Sequence, residues 1–402
     1  MYFNTLSKFE CCACTACEHA CPVKAISFVK DEEGFMYPNI DKNKCIDCRL
    51  CARVCPIETP SYSNTESPSV YAAMVKDVQQ RKKSSSGGIF YSIASWIIQQ
   101  GGKVYGATMD DTLKVKHIGV ETTKDLDKLR GSKYVQSNLK DVFTDIRQQL
   151  KDGRWCYFVG TGCQVAGLKS FLRKDCDNLF TSDLVCHGVP SQWLFDQHIQ
   201  YIEKKYSGKV SDYLFRDNEA WGGCEIFNLT NRKGKVKHYK LPSYNLSPYL
   251  YSFMHAMTYR YSCYDCRFAR IPRQGDITLA DFWGVKEFFP NIDSTNGVSL
   301  VLVNNEKGFD IIEKIKVECD MTVSTISEGA KHNGNILHAS EMHSCRTHIY
   351  HDIKEQGYKV IAKKIFRTPN YYSTLIKCKL SEYKLIKRII EWKNKRKLDM
   401  TL

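Results

Sequence analysis

Neither of the common phosphate-binding fingerprints occurs in this sequence. There is no G-x-G-x-x-G and no G-x4-G-K followed by Ser or Thr, which excludes a standard dinucleotide turn and a P-loop. Long apolar runs are missing as well. The longest, GIFYSIASWII from Gly88, carries polar residues and is too short to span a bilayer. The opening MYFNTLSKFECC has no apolar leader-like stretch and runs straight into cysteines, so the expected setting is a reducing cytoplasm rather than one that forms disulfides. No solenoid period, long low-complexity tract or radical-SAM spacing of the C-x3-C-x2-C type is present.

Cysteine is abundant, at 19 in 402 residues. Eight of these fall in two runs of one spacing: Cys11, Cys14, Cys17 and Cys21 before Pro22, and Cys45, Cys48, Cys51 and Cys55 before Pro56. Each run is C-x2-C-x2-C-x3-C-P, the spacing of two-cluster 4Fe-4S ferredoxins, in which the fourth cysteine of each run ligates the other cluster. Three thiolates on one tight loop can cap three irons of a cubane, and the fourth iron is reached from the opposite unit. Zinc also uses C-x2-C pairs, but it does not call for eight cysteines in this order. Cys12 reads as a bystander.

Downstream, SCYDCRF places Cys263 and Cys266 as half of a metal site. Cys163 in VGTGCQVAG and Cys186 in LVCHGVPS both stand where an apolar strand gives way to a Gly-containing loop and a helix. Strand-end loops in α/β sheets share a crevice, so these two are the expected partners. Four thiolates there would hold a third 4Fe-4S cluster; the alternative is that Cys163 and Cys186 are core residues and the pair binds zinc or nothing. Cys156 lies within a strand and reads as core, while Cys176, Cys224, Cys319, Cys345 and Cys378 stand singly.

Two loops offer anion or ring contacts. Ser84, Ser85, Ser86, Gly87 and Gly88 precede an apolar helix, where exposed amides and hydroxyls suit a phosphate, although a Ser-rich helix cap is common. In RGSKYVQSN, Lys133 offers a cation, Tyr134 a stacking face, and Gln136 and Ser137 hydrogen bonds.

The formal charge is +14. A 4Fe-4S core with four thiolates contributes about −2, so three clusters would leave roughly +8. Nine of the basic residues lie in Lys377–Leu402 against three acids, with Leu385, Ile386, Ile389, Ile390 and Trp392 interspersed. Peripheral membrane or partner contact is expected of that tail. Nucleic-acid binding is not, because the cysteine spacing differs from that of zinc fingers.

Taken in order, SSSGGIFYSIA, GSKYVQS, GTGCQVAGLKSFL, DLVCHGVPS, SCYDCRF and DITLADFWG, with GVSLVLVN beyond, resemble the beta subunit of coenzyme F420-reducing hydrogenase and dehydrogenase. The likeness is to its bacterial branch with an N-terminal two-cluster ferredoxin domain. The resemblance implies an FAD protein, makes the two loops above FAD-binding candidates, and supports the third cluster. It implies a cytoplasmic flavin-dependent iron-sulfur oxidoreductase, passing electrons between a ferredoxin or other redox protein and a small organic substrate. Members of this branch often accompany surface-polysaccharide biosynthesis. The rival reading is a non-catalytic electron-transfer subunit. One departure is Gly162, where the family usually has Pro. Asp281, Trp283 and His187 are expected near the pocket.

The expected fold is α+β. A ferredoxin-like domain over 1–60 is followed by a mixed α/β flavin-binding domain in two parts, 69–200 and 201–345, and a basic helical tail over 346–402.

Overall fold

The computed structural model describes residues 2–216, 224–366 and 368–382. The expectation of membrane contact rests on residues beyond 382 and lies outside these. Among the described residues, no helix is long and apolar enough to cross a membrane.

The N-terminal unit is a pair of cysteine loops around a two-stranded ribbon, with β1 (Ile26–Lys30) antiparallel to β2 (Met36–Ile40). The two loops repeat one backbone. Ala13 and Thr15 have φ of 54° and 61°, and at the matched positions Asp47 and Arg49 have 52° and 54°. A short helix follows each, Ala16–Ala20 and Leu50–Arg53. Left-handed conformations are unfavourable for residues with a Cβ and persist where surroundings impose them, typically at functional sites. Four of them at equivalent places mark loops coiled around a common kind of centre.

The larger unit is built on one eight-stranded mixed sheet. Its strands are β3 (Ser69–Val75), β4 (Lys103–Met109), β5 (Val115–Val120), β6 (Cys156–Thr161) and β7 (Leu179–Leu184). A three-stranded antiparallel sheet of β8 (Gly208–Leu214), β9 (Glu225–Asn231) and β10 (Val236–Leu241) intervenes. The main sheet then gains β11 (Ile277–Asp281), β12 (Ser299–Val303) and β13 (Cys319–Ser324), in the order β13-β3-β12-β11-β7-β6-β4-β5.

The centre, β4-β6-β7-β11, is parallel, and the flanking pairs are antiparallel. SLVLV of β12 is buried at every residue, the pattern of a strand covered on both faces. Helices Ile89–Gln99 and Glu306–Ile315 share one apolar core with the sheet, and Val142–Lys151 and Gly162–Leu172 another. The strand-loop-helix alternation of the sequence thus yields a mixed α/β layer.

The ferredoxin-like unit is not tethered by a linker alone. Cys12, Cys14, Ala16, Val54 and Ile57 belong to the same core as Phe143, Val165 and Phe171. Phe35 and Tyr37 join a second core with Leu194, Tyr249 and Tyr350.

Two buried arginines fasten it. Arg346 binds the Glu33 carboxylate through both Nη atoms, at 2.8 and 2.5 Å, and donates Nε to the Tyr259 carbonyl at 2.6 Å. Arg260 donates Nε to the Cys11 carbonyl at 2.6 Å and Nη2 to the Met36 carbonyl at 3.0 Å, with its guanidinium over the Tyr37 ring. Such forked, charge-assisted bonds fix orientation as well as energy.

Candidate functional site

Cysteines of the two loops are neighbours across the pseudo-symmetric unit. Cys17 lies within electrostatic range of Cys11, Cys51 and Cys55, Cys14 of Cys17 and Cys55, and Cys55 of Cys11. The last cysteine of the second run therefore sits among the first three of the first run. Cys51 neighbours Cys45 and Cys48. Surroundings differ sharply between the loops: Cys11 and Cys14 are buried, whereas Cys45 and Cys48 are exposed.

The four downstream cysteines converge. Cys163 opens helix Gly162–Leu172 at the end of β6, and Cys186 follows the end of β7. Both are C-terminal ends of parallel strands, the side of an α/β sheet where ligands gather. Cys263 lies within range of Cys186, Cys266 and Cys163, and Cys186 of Cys163 and Cys266. Burial first, then the neighbouring sulfurs, push Cys186 up to about 12 and Cys266 to about 11. As bare thiols they keep their protons at neutral pH, and only a cationic centre would draw four thiolates together here.

Among the described residues no three His, Cys, Asp or Glu side chains are gathered as closely as a single metal ion needs.

Local sequence explains how the ligand loops are held. Thr161 caps helix Gly162–Leu172, with Gln164 Oε1 accepting the Thr161 backbone N–H at 3.0 Å in a capping box. Gly162 leaves little room for a side chain, since a Cβ would come within 3.1 Å of Phe268 Cβ. The fully buried Asp183 pairs with Arg273 Nη2 at 2.7 Å, and Arg273 also donates to the carbonyls of Phe268 and Leu184, both at 3.0 Å. One guanidinium thereby ties the loop after Cys266 to the strand end before Cys186.

Tyr259 lies within electrostatic range of Cys186, Cys263 and Tyr134. Tyr134 stacks on Phe253 with ring centroids 4.4 Å apart. Beyond Tyr134 opens a cavity of about 270 Å³, lined by Lys83, Asp127, Arg130, Gly131, Ser132, Leu214, Phe215 and Arg216. Arg216 forms a close ion pair with Asp281 through Nη1, and its guanidinium lies over the Trp283 ring at 5.3 Å. Arg216 Nη2 and Arg130 Nε are buried without well-formed acceptors, although the Tyr134 hydroxyl is close to the Arg216 guanidinium. Three cationic side chains, Lys83, Arg130 and Arg216, against the one carboxylate Asp127 make this wall suited to an anion.

The two loops singled out from the sequence do meet at this cavity, but through neighbouring residues. Ser84 accepts from Arg130 Nη2 at 2.8 Å, Ser86 donates to the Val298 carbonyl at 3.0 Å, and Ser85 Oγ is a buried donor without a partner. Gly87 is required by packing, because a Cβ would meet the Ala73 carbonyl oxygen at 2.2 Å; Gly88 has φ +88°. Lys133 Nζ points at the carbonyls of Leu129 and Arg130, at 3.1 and 2.6 Å, and burial pushes it down to about 7.

Gln136 and Ser137 lie elsewhere. The Gln136 amide donates to the Cys12 carbonyl at 3.1 Å, and Ser137 Oγ accepts from Gln164 at 2.9 Å. His187, with a basicity lowered by burial, bonds Asn335 and lies near Asp281. Arg130 heads the RGSKYVQSN stretch and was visible in the sequence, whereas the place of Arg216 depends on where β8 ends.

Cys12, read from the sequence as a bystander, lies among these cysteines. It is buried, and its thiol lies within side-chain hydrogen-bonding reach of both Cys14 and Cys163.

Two parts of the chain match family models. Residues 153–329 match the family model for the C terminus of the coenzyme F420 hydrogenase/dehydrogenase beta subunit, and residues 10–59 match a 4Fe-4S dicluster domain. Among solved structures, a chain of the F420-reducing NiFe hydrogenase complex from Methanosarcina barkeri is similar at 16% identity, over 67% of this chain and 89% of that one, with a TM-score of 0.40. No curated protein matches.

Proposed function

Residues 153–329 belong to the coenzyme F420 hydrogenase/dehydrogenase beta-subunit family and residues 10–59 to the 4Fe-4S dicluster domain, and from that premise we propose a flavin-dependent iron-sulfur oxidoreductase. It links a ferredoxin-like one-electron carrier to a small organic substrate. The observation that carries this reading is the convergence of Cys163, Cys186, Cys263 and Cys266 between the buried ferredoxin loop on one side and the cationic cavity on the other.

Those four cysteines would hold a third 4Fe-4S cluster. Lys83, Arg130 and Arg216 would hold the anionic part of FAD. A flavin exchanges electrons singly or in pairs, which is the chemistry it would supply here. At about 270 Å³ the cavity is close to the small end of ligand pockets, roughly 300–1,000 Å³, so it fits part of a dinucleotide. Asp281 keeps Arg216 charged and aimed at the cavity, while Tyr259, Tyr134 and Phe253 pack the space between the cavity and the cysteines and keep water out.

The exposed loop of Cys45 and Cys48 is where an external carrier would come nearest to a thiolate. A setting in surface-polysaccharide biosynthesis, implied by the resemblance, would make the substrate a sugar-linked compound.

The test is anaerobic purification with iron, zinc and flavin quantified on one sample. About twelve irons and one flavin per chain are expected. About eight irons without flavin would leave an electron-transfer subunit instead.

A further inference from the structure

Positive charge that neither the cysteine sites nor the cavity uses is concentrated at one corner of the three-stranded sheet. The turn between β9 and β10, with β10 itself, carries Arg232, Lys233, Lys235, Lys237 and Lys240 and no acidic residue among them. All five are exposed. The turn is a fixed projection: Asn231 Oδ1 accepts the backbone N–H groups of Lys233 and Lys235 at 2.9 and 3.0 Å, and Gly234, at φ +74°, closes it.

Strand register brings a second basic element to the same corner. Gly208, at the start of β8, pairs with Asn231, which sets the C-terminal end of helix Gln192–Tyr206 beside the turn with its Lys204 and Lys205. Lys205 lies over the rings of Tyr206 and Tyr201 at 5.1 and 5.8 Å, and Lys237 over that of Tyr239 at 4.8 Å. The Tyr206 and Tyr239 rings are themselves 4.5 Å apart. Nearby carboxylates do little to offset this charge. Glu203 pairs with Lys209 at 3.0 Å, and Glu225 is fully buried against His198 at 2.7 Å. Asp212 is the one exposed carboxylate of β8, β9 and β10.

A small anion is held in a concave pocket, whereas these cations stand on a projecting turn and a helix end. Val236 is 57% exposed between Lys235 and Lys237, above the tyrosine cluster. Long basic side chains, tyrosines and an exposed aliphatic residue together suit the headgroup layer of a bilayer, where cations meet phosphate and apolar groups enter the boundary. Helix Pro369–Glu382 packs against the turn Tyr244–Leu246 that follows β10, and in the sequence the basic tail continues from that helix.

We propose that the β9–β10 turn and the end of helix Gln192–Tyr206 form a docking surface for an anionic phospholipid bilayer. This surface lies on folded strands and a helix, and it acts whether or not the tail adds to it.

The experiment sediments the full-length protein with vesicles of phosphatidylcholine, with or without phosphatidylglycerol, at about 0.1 M salt and above. Wild type should bind the phosphatidylglycerol vesicles, leave the neutral ones, and release as salt rises. The triple variant Arg232→Gln, Lys233→Gln and Lys235→Gln should partition about a hundredfold more weakly, at roughly fivefold for each cation lost. Its iron content and thermal midpoint should match wild type. Lysine acylation read by mass spectrometry gives a measure that needs no variant: phosphatidylglycerol vesicles should protect Lys233, Lys235 and Lys237 and leave Lys316, before the edge strand β13, as reactive as before. Failure of wild type to bind, equal binding by the variant, or unprotected turn lysines would each overturn the proposal. Release of the protein from vesicles by RNA at equal phosphate concentration would overturn it too, and would make the corner a nucleic-acid surface.

Discussion

The two cysteine loops share a spacing, a backbone and a following helical turn, and yet one is buried and the other exposed. Around the first loop, Gly167 admits Cys14 against a helix of the main domain, Arg260 grips the Cys11 carbonyl, and Phe143 and Phe171 close over His19. Around the second, Cys45, Ile46, Asp47, Cys48 and Arg49 face solvent in succession. Identical chemistry in unlike surroundings gives a direction to an otherwise symmetric unit. The outer loop is open to solvent, and the inner loop is packed against the main domain.

The inner side can be broken hardest at Asp183. Asp183→Ala leaves Arg273 charged and buried without its partner, which costs about 3–5 kcal/mol. It also frees the two strand-end loops that carry Cys186 and Cys266. Thermal unfolding should shift accordingly, and iron content should fall from about twelve to about eight while the ferredoxin spectrum persists. Retention of all the iron would show that Arg273 does not organise the third site.

A second measurement sharpens the contrast without changing a residue. In metal-free protein under native conditions, alkylation followed by mass spectrometry should modify Cys45 and Cys48 many times faster than Cys11 and Cys14, because access as well as thiolate character controls thiol reactivity. Equal rates would mean that the inner loop is open in solution and the asymmetry is lost.

What the sequence revealed follows the same divide between local and distant. The two-cluster domain was legible because each loop is fixed by a spacing of a few residues. The grouping of Cys163 and Cys186 with Cys263 and Cys266 was legible through strand-to-loop transitions, since parallel strands must bring their C-terminal ends to one side. Gln136 and Ser137 read as ligand contacts because polar residues after Tyr134 look alike in one dimension. In three dimensions Gln136 faces Cys12 and Ser137 faces the helix cap. The place of Arg216 could not be read, because it depends on how β8 docks against residues far away in the chain.

Beneath the inner loop, His117 supplies a pH-sensitive support. Its Nε2 bonds the Val159 carbonyl at 3.0 Å, its ring stacks on Phe158, and burial pushes it down to about 4. In the unfolded chain a histidine takes up its proton near pH 6.5, so between about pH 6.5 and 4 the unfolded state binds more protons and stability falls with falling pH. About 1 kcal/mol should be lost by pH 5.5, read as a lower denaturant midpoint than at pH 7.5. In His117→Phe that slope should flatten whatever the variant's own stability; an unchanged slope would place the acid sensitivity elsewhere.

The smallest effect belongs to the outer loop, and it tests the direction itself. Lys42 and Arg49 flank the exposed cysteines, and no carboxylate among the described residues pairs with either, while Ile46 is 62% exposed between them. Two cations against the one carboxylate of Asp47 beside this apolar spot leave a net positive rim, which suits an acidic one-electron carrier whose approach such charges steer. Exposed rim charges alter association rates more than complex stability, so Lys42→Glu with Arg49→Glu should slow reduction by a small acidic ferredoxin a fewfold at low salt. The difference should shrink as added salt screens charges beyond about 10 Å at 0.1 M. Photoreduction by a neutral dye should be indifferent to both changes. If the variant and wild type accept electrons from the carrier equally fast at every salt concentration, the outer loop is exposed without being the port, and the difference between the two loops would be one of packing alone.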